Sequence, residues 1–273
     1  MIKIEHSIFA LPFALVGALV AANGLPETSK ILWIVVAMVA ARSCAMAFNR
    51  LVDRKYDSLN PRTQKWPLAA GLLSVPFVSV FVGTCCVLFV YSAYRLNPLA
   101  FVLSPLALVV ILGYSFTKRF TALSHWFIGL ALSIAPVGAW IAIRGTFDRE
   151  PVILGLAILF WVAGFDLIYS CQDAEFDRSQ KLHSVPARFG IPAALLISRM
   201  CHIMTVLFLL AFGAIDHLGW LYFVGVALVA ALLVYEHSLV SPRDLRRVNE
   251  AFFTINGAVG VLLLFFTSLD LYF

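Results

Sequence analysis

Nine apolar stretches, each close to the length of a bilayer-spanning helix, leave this chain little choice of fold class. They run approximately over residues 7–23, 31–48, 72–94, 98–116, 122–143, 152–169, 192–213, 217–237 and 251–271, and ~20 predominantly apolar residues are what a helix needs to cross a hydrocarbon core. Lipid offers the backbone no hydrogen-bond partner, so runs of this length satisfy their own amides as helices. With 62% hydrophobic residues, 13% charged residues and a mean hydropathy of +0.92, an ordinary soluble domain is excluded. The expectation is an all-α, polytopic membrane protein with nine transmembrane helices in one domain, residues 1–273. The first stretch follows only Lys3, Glu5 and His6, has no small-residue cleavage site and leads into further spans. It reads as a retained helix rather than a signal peptide.

Against this background two acidic clusters stand out. Asn49, Asp53 and Asp57 lie in NRLVDRKYD, and Tyr169, Asp173 and Asp177 in YSCQDAEFD, each directly after an apolar run. Residues i, i+4 and i+8 share a helix face, so each D-x-x-x-D sets two carboxylates one turn apart. Left alone these repel each other, and a hard divalent cation removes the repulsion. Mg2+ binds through one or two carboxylates plus water and substrate phosphates. Asn49, Asp53, Asp57, Asp173 and Asp177 are therefore the candidate metal set, and a diphosphate bridged between the clusters is the candidate ligand. Either cluster taken singly is equally well read as a solvated helix end.

Register couples the two. Asn49 to Tyr169, Asp53 to Asp173 and Asp57 to Asp177 are all separated by 120 residues. Each cluster follows the second helix of a four-helix unit, which predicts pseudo-repeats at about 1–120 and 121–240, then a final helix at about 251–271, around a central cavity. A repeat with an even number of helices preserves orientation, so both clusters open to the same side. That side carries fourteen basic residues: Lys3, Arg50, Arg54, Lys55, Arg62, Lys65, Lys118, Arg119, Arg178, Lys181, Arg188, Arg243, Arg246 and Arg247. The other has four: Lys30, Arg95, Arg144 and Arg149. The motif side is expected to be cytoplasmic, with the N-terminus inside and the C-terminus outside. The net charge of +5 then faces anionic headgroups or a phosphorylated substrate and calls for no nucleic acid. No obligate protein partner is expected.

Ionisable residues inside the spans are costly and carry functional expectations. Arg42 lies two turns before Asn49 on the same face, where its guanidinium suits a carboxylate in a bidentate pair; the alternative is a structural pair with Asp166 of the sixth span. Lys118 and Arg119 close the fourth span in GYSFTKRF, with Tyr114 one turn before Lys118. They read either as helix-end cations or as neutralisers of a diphosphate. Asn60-Pro61 breaks the preceding helix and turns Arg62 back over the site. Pro136 is expected to kink the fifth span, and Ser184-Val185-Pro186 with Gly190 to form a turn. The five cysteines have no zinc spacing and read as buried small residues; the six histidines form no ligand pattern. There is no phosphate-cradling Walker loop, dinucleotide-binding glycine fingerprint or nucleophile elbow. Phenylalanines are expected mostly in packing or facing lipid, with a few along a tunnel.

NRLVDRKYD with NPRT following it, YSCQDAEFD, the opening IKIEHSIFALPFALVGAL and the YSFTKRF loop together resemble the UbiA-type superfamily of intramembrane aromatic prenyltransferases over essentially the whole chain. The resemblance implies Mg2+-assisted ionisation of a polyprenyl diphosphate and capture of the allylic cation by a ring carbon of an aromatic acid. The opening and the YSFTKRF loop resemble the 4-hydroxybenzoate branch of quinone biosynthesis in the inner membrane. On this reading Asp53, Asp57, Asp173 and Asp177 are the catalytic acids. Lys118, Arg119, Arg62 and Tyr114 bind diphosphate, and Arg42, Tyr169 and Asp166 face the aromatic acid. Two positions depart from the family pattern: Trp66 stands where many relatives have Arg, with Lys65 as the substitute cation, and Lys181 stands where Gly is common. A dihydroxynaphthoate acceptor of a menaquinone route is the alternative, and the opening, QDAEFD and HSVPARFG are at least as similar to that branch. A secondary transporter is the alternative from another class, although its acids would belong near the bilayer centre rather than at helix ends.

Overall fold

The computed structural model describes residues 7–273; Lys3, Glu5 and His6, expected ahead of the first span, lie outside them. The elements are α1 (Ser7–Ala22), α2 (Thr28–Leu59), α3 (Val75–Leu96), α4 (Pro98–Gly113) with a 3₁₀ turn at Tyr114–Arg119, α5 (Ser124–Arg144), and α6 (Glu150–Ser170) with a 3₁₀ turn at Cys171–Asp173. There follow the short α7 (Ala174–Ser179) and α8 (Val185–Phe189), then α9 (Ile191–Ile215), α10 (Trp220–Ser238), α11 (Val248–Glu250), a π turn at Ala251–Ile255, and α12 (Asn256–Tyr272). Among the described residues there is no strand beyond a single Ser241–Asp244 bridge. Eight of the helical segments are long and apolar enough to cross a membrane, and Ala10–Ala22 adds a shorter apolar one. The chain is a multi-pass, all-helical membrane protein.

Helix ends follow local chemistry. Ser74 caps α3 by accepting from Phe77 N, and Asn97 caps α4 by accepting from Ala100 N at 2.9 Å, each with proline in the first turn. Gly145 ends α5 in the left-handed region at φ +72. Ser184-Val185-Pro186, expected as a turn, instead opens α8, with the Ser184 hydroxyl accepting from Ala187 N. α2 departs most from expectation. Its 32 residues reach about 48 Å at 1.5 Å per residue, well beyond a hydrocarbon core of about 30 Å. The surplus is the NRLVDRKYD segment, which continues the helix past the apolar run until Asn60-Pro61 stops it.

Burial is uneven. α6 runs through the middle, with 61% of its most apolar stretch buried, whereas the α4 segment has 17% and so faces lipid. The largest core joins Phe13 and Val16 of α1, Trp161 and Phe165 of α6, Phe212 of α9, Tyr222 of α10 and Leu263 of α12. Pro136 sits inside α5, where Gly17 of α1 packs so closely that a Cβ would lie 2.7 Å from its carbonyl oxygen. A smaller core of Cys44, Ala47, Val78 and Val82 joins α2 to α3. This packing fixes the ends of α2 and α6, which carry the acidic clusters.

Candidate active site

One stripe of α2, at spacings of three and four, lines a polar cavity of about 400 Å³: Arg42, Met46, Asn49, Arg50, Asp53, Tyr56 and Asp57. Asp166, Tyr169, Asp173 and Asp177 line it from α6 and the segments that follow, and Tyr114 and Lys118 from the 3₁₀ turn after α4. Every expected site residue except Arg119 faces this space.

In the first cluster, Asn49 Nδ2 donates to Asp53 Oδ2 at 3.0 Å, and Arg119 donates to Asp53 Oδ1 at 3.0 Å and to the Val52 carbonyl at 2.8 Å. Arg119 thus anchors α2 from outside the cavity. Arg50 donates to Asp57 Oδ2 at 3.4 Å. The second cluster is held from across the site. The NPRT turn folds back so that Asn60 Nδ2 donates to Asp173 Oδ1 at 3.1 Å, while Arg62 grips both oxygens of Asp173 and donates to the Tyr169 hydroxyl at 2.8 Å. Thr63 Oγ1 closes the turn onto the Asp57 carbonyl at 2.9 Å. Partial burial works against the Arg62 charge, but the hydrogen bonds and charge of Asp173 outweigh it, so the Arg62 pKa is raised.

The two clusters differ in backbone. Asn49, Asp53 and Asp57 lie on unbroken α-helix, as the spacing predicts. Tyr169 lies in the last turn of α6, Asp173 ends a 3₁₀ turn and Asp177 belongs to α7, so the expected continuous face is broken there. The left-handed conformation of Lys181, φ +55, supplies the sharp turn after α7, so this loop keeps the kind of turn that glycine makes without strain. It brings Leu182 N to the Asp177 carbonyl at 2.8 Å and His183 N to the Lys118 carbonyl at 2.7 Å. Lys118 is thereby held within electrostatic reach of Asp177, Asp166, Asp173 and Asp53.

Arg42 does not pair with Asp166. His125 takes that carboxylate, with Nδ1 2.7 Å from Oδ2, and His125 Nε2 accepts the Val185 amide at 3.4 Å, which leaves Nδ1 as the donor. The Arg42 Nε is buried without a hydrogen-bond partner among the described residues. Arg42 and Tyr114 also line a second, apolar cavity of about 470 Å³, walled largely by alanine, leucine and isoleucine and reached by Phe89 and Phe147 among the phenylalanines. A polar chamber and an apolar one therefore meet at Arg42 and Tyr114.

The family model described as the UbiA prenyltransferase family matches residues 10–267. The chain belongs to the UbiA prenyltransferase family. Among its relatives, a 4-hydroxybenzoate octaprenyltransferase of Nitrosomonas eutropha is 33% identical over 258 residues, covering 90% of this chain and 88% of that one. A second, from Marinobacter nauticus, is 30% identical over 254 residues, covering 93% and 86%. An apo UbiA homologue from Aeropyrum pernix K1 superposes with a TM-score of 0.90 at 34% identity, covering 99% of both chains. A UbiA homologue from Archaeoglobus fulgidus bound to GPP and Mg2+ shares the fold, with a TM-score of 0.72 at 18% identity and 98% coverage of both. The chain is thus an enzyme, and the transporter alternative falls away.

UbiA membership implies a divalent cation, and the donors here can be tested for it. Among the described residues, no three acids, histidines or cysteines converge closely enough to hold a cation by themselves. The donors nevertheless suit one that arrives with its substrate. They are hard oxygens around a single cavity, and Asp177 Oδ2 is buried without a hydrogen-bond partner. Mg2+ needs only one or two carboxylates and completes its shell with water and phosphate oxygens, so the residues fit.

Several residues in or beside the chamber have no clear signature in the sequence. Arg50 reads there only as a loop charge, although its place on the α2 stripe puts it on the acidic face. Asn60 reads only as a helix breaker. His125 has no local signal at all, because its partner Asp166 is 41 residues away. Trp66 lies with its ring centroid 3.5 Å from Arg50 Cζ and 5.7 Å from Arg62 Cζ. Lys65, the expected substitute cation, is exposed and outside the cavity lining.

Proposed function

We propose that this enzyme transfers a polyprenyl group from polyprenyl diphosphate to a ring carbon of an aromatic acid, most closely 4-hydroxybenzoate, in quinone biosynthesis. The observation that carries this reading is the meeting of a polar, acid- and guanidinium-lined chamber with an apolar one at Arg42 and Tyr114. A substrate with a charged head and a long apolar tail matches that division, and the names of the curated relatives support the acceptor.

Asp53, Asp57, Asp173 and Asp177, with Asn49, would hold Mg2+, which when bound supplies positive charge to the diphosphate. Lys118, Arg62 and Arg50 add charge for the leaving group, and Tyr114 orients it from the chamber's inner edge. As the allylic C–O bond breaks, its electron pair leaves with the diphosphate, and the alanine- and leucine-walled chamber keeps water from the carbocation. Arg42 takes the acceptor carboxylate as a bidentate partner, and Tyr169 flanks the ring. A ring π pair forms the new carbon–carbon bond, and Asp166, oriented by His125, accepts the displaced ring proton. The pseudo-repeats at about 1–120 and 121–240 and the cytoplasmic orientation, N-terminus inside and C-terminus outside, belong to the same proposal; both put the acidic clusters on one membrane face.

The test is an assay in native membranes offering one polyprenyl diphosphate with 4-hydroxybenzoate or dihydroxynaphthoate, with and without Mg2+, and product mass as readout. A prenylated 4-hydroxybenzoate formed only with Mg2+ is expected. Product from the naphthoate alone would move the acceptor to the menaquinone route, and no product from either would overturn the reading.

A further inference from the structure

Trp66 has no obvious packing reason to be where it is. It belongs to none of the buried apolar clusters, its side chain is half-buried, and it lines the polar chamber. Its backbone is fixed by a tight turn, with Trp66 N donating to the Thr63 carbonyl at 2.9 Å and the Trp66 carbonyl accepting from Ala70 N at 2.8 Å. What the ring meets is two cations, Arg50 at stacking distance and Arg62 further along.

Those two arginines belong to opposite clusters. Arg50 neutralises Asp57 and Arg62 neutralises Asp173, so each guanidinium occupies a carboxylate that a diphosphate-borne cation would claim. On that exchange Arg50 loses its carboxylate and would be free to swing toward solvent, while Arg62 keeps only the hydroxyl and ring of Tyr169, at 2.8 and 5.1 Å. A ring face holds a guanidinium through its π quadrupole while leaving the in-plane N–H donors open to an anion. A carboxylate competes with phosphate for the same N–H groups; an aromatic face does not.

We propose that Trp66 is a positioning residue that retains Arg50 and Arg62 in the chamber while both exchange their carboxylates for the diphosphate of the donor. The proposal rests on the diphosphate reading above. Trp66 contributes no charge and instead orders two charges already present.

The experiment measures equilibrium binding of a radiolabelled polyprenyl diphosphate to purified full-length protein in detergent with Mg2+, alongside KM for donor and acceptor. Trp66→Leu is expected to weaken donor binding by about 5- to 30-fold, the range for removing one or two partly desolvated cation–π interactions. The acceptor KM should change by less than about 2-fold, since Arg50 serves only the diphosphate and the hold of Arg62 on Tyr169 does not run through Trp66. Trp66→Phe should recover most of the deficit. Mono-, di- and trifluorotryptophan placed at position 66 keep the shape and weaken the π face, so donor affinity should fall stepwise with fluorination. This series tests the idea even where Trp66→Leu fails to fold. A flat fluorination series, or donor binding by Trp66→Leu equal to wild type, overturns the role of Trp66. Absence of donor binding by wild-type protein instead overturns the diphosphate reading.

Discussion

The two acidic clusters share a sequence pattern and differ in how their backbones deliver it. The first rides on α2, a single 32-residue helix that overshoots the bilayer, and its acids are spaced by helix geometry alone. The second follows a helix that tightens into a 3₁₀ turn at Cys171–Asp173 and restarts as α7, so its acids are placed by tertiary contacts: Asn60 and Arg62 on Asp173, and the His183 amide on the Lys118 carbonyl. One half of the site is a rigid rail and the other is a joint clamped by the first. A binding chamber assembled this way has one edge that stays fixed and one whose geometry depends on a few cross-site hydrogen bonds.

The largest expected effect comes from breaking either half at a carboxylate. Asp53→Ala and Asp177→Ala should each lower Mg2+-dependent prenylation by at least about 10²–10³-fold, comparable to removing one preorganised transition-state contact. Both proteins should still insert and fold, because Asp177 Oδ2 has no hydrogen bond to lose and, without the Asp53 carboxylate, Arg119 still holds α2 at the Val52 carbonyl. Chelation of the cation in wild-type protein should produce a drop of the same order. Near-normal turnover in either variant would remove the metal role.

Arg62→Ala should distinguish the clamp from the rail. It removes the charged hydrogen bonds on Asp173 and the one on Tyr169, so thermal unfolding should show destabilisation by about 1–3 kcal/mol together with weaker donor binding. Arg50→Ala, which removes one 3.4 Å ion pair and the stacking on Trp66, should cost less, about 1 kcal/mol of stability. Equal destabilisation by the two would mean that the second cluster is no more dependent on tertiary contacts than the first. Arg42→Ala probes a position served by neither cluster. It should raise KM for a carboxylated acceptor by about 10- to 100-fold, the scale of a missing charged hydrogen-bond pair, with little change in donor KM. Matching effects on both substrates would remove its acceptor role.

The smallest effect is expected at Lys181. Replacing it with Gly relieves about 1 kcal/mol of left-handed strain against an entropic cost of about 0.5–1 kcal/mol. Stability and activity should therefore stay close to wild type. A large fall in activity with unchanged stability would instead give the Lys181 cation a part in the chamber.

Hydropathy makes the helices legible, since an apolar run must become a helix in lipid whatever surrounds it. The α2 stripe is legible too, from Arg42 through Asn49 to Asp57, because local periodicity carries over to space when the helix is unbroken. What stays hidden depends on long-range pairing. The His125–Asp166 contact joins α5 to α6, and nothing in the neighbourhood of either residue announces the other. The break at Cys171–Asp173 is hidden because a four-residue acid spacing looks the same whether the backbone is α or 3₁₀. The place of Trp66 beside Arg50 and Arg62 is hidden as well, because charge counting does not register an aromatic face.

The central claim is that the two clusters are halves of a single diphosphate site. It is tested most directly by a double-mutant cycle on Mg2+-dependent binding of polyprenyl diphosphate, combining Asp53→Asn with Asp177→Asn. A shared bridged ligand predicts strong coupling, the double variant losing less affinity than the sum of the single effects by about 0.5–3 kcal/mol. Effects that add to within about 0.3–0.5 kcal/mol would mean that the clusters act independently, and would contradict the account.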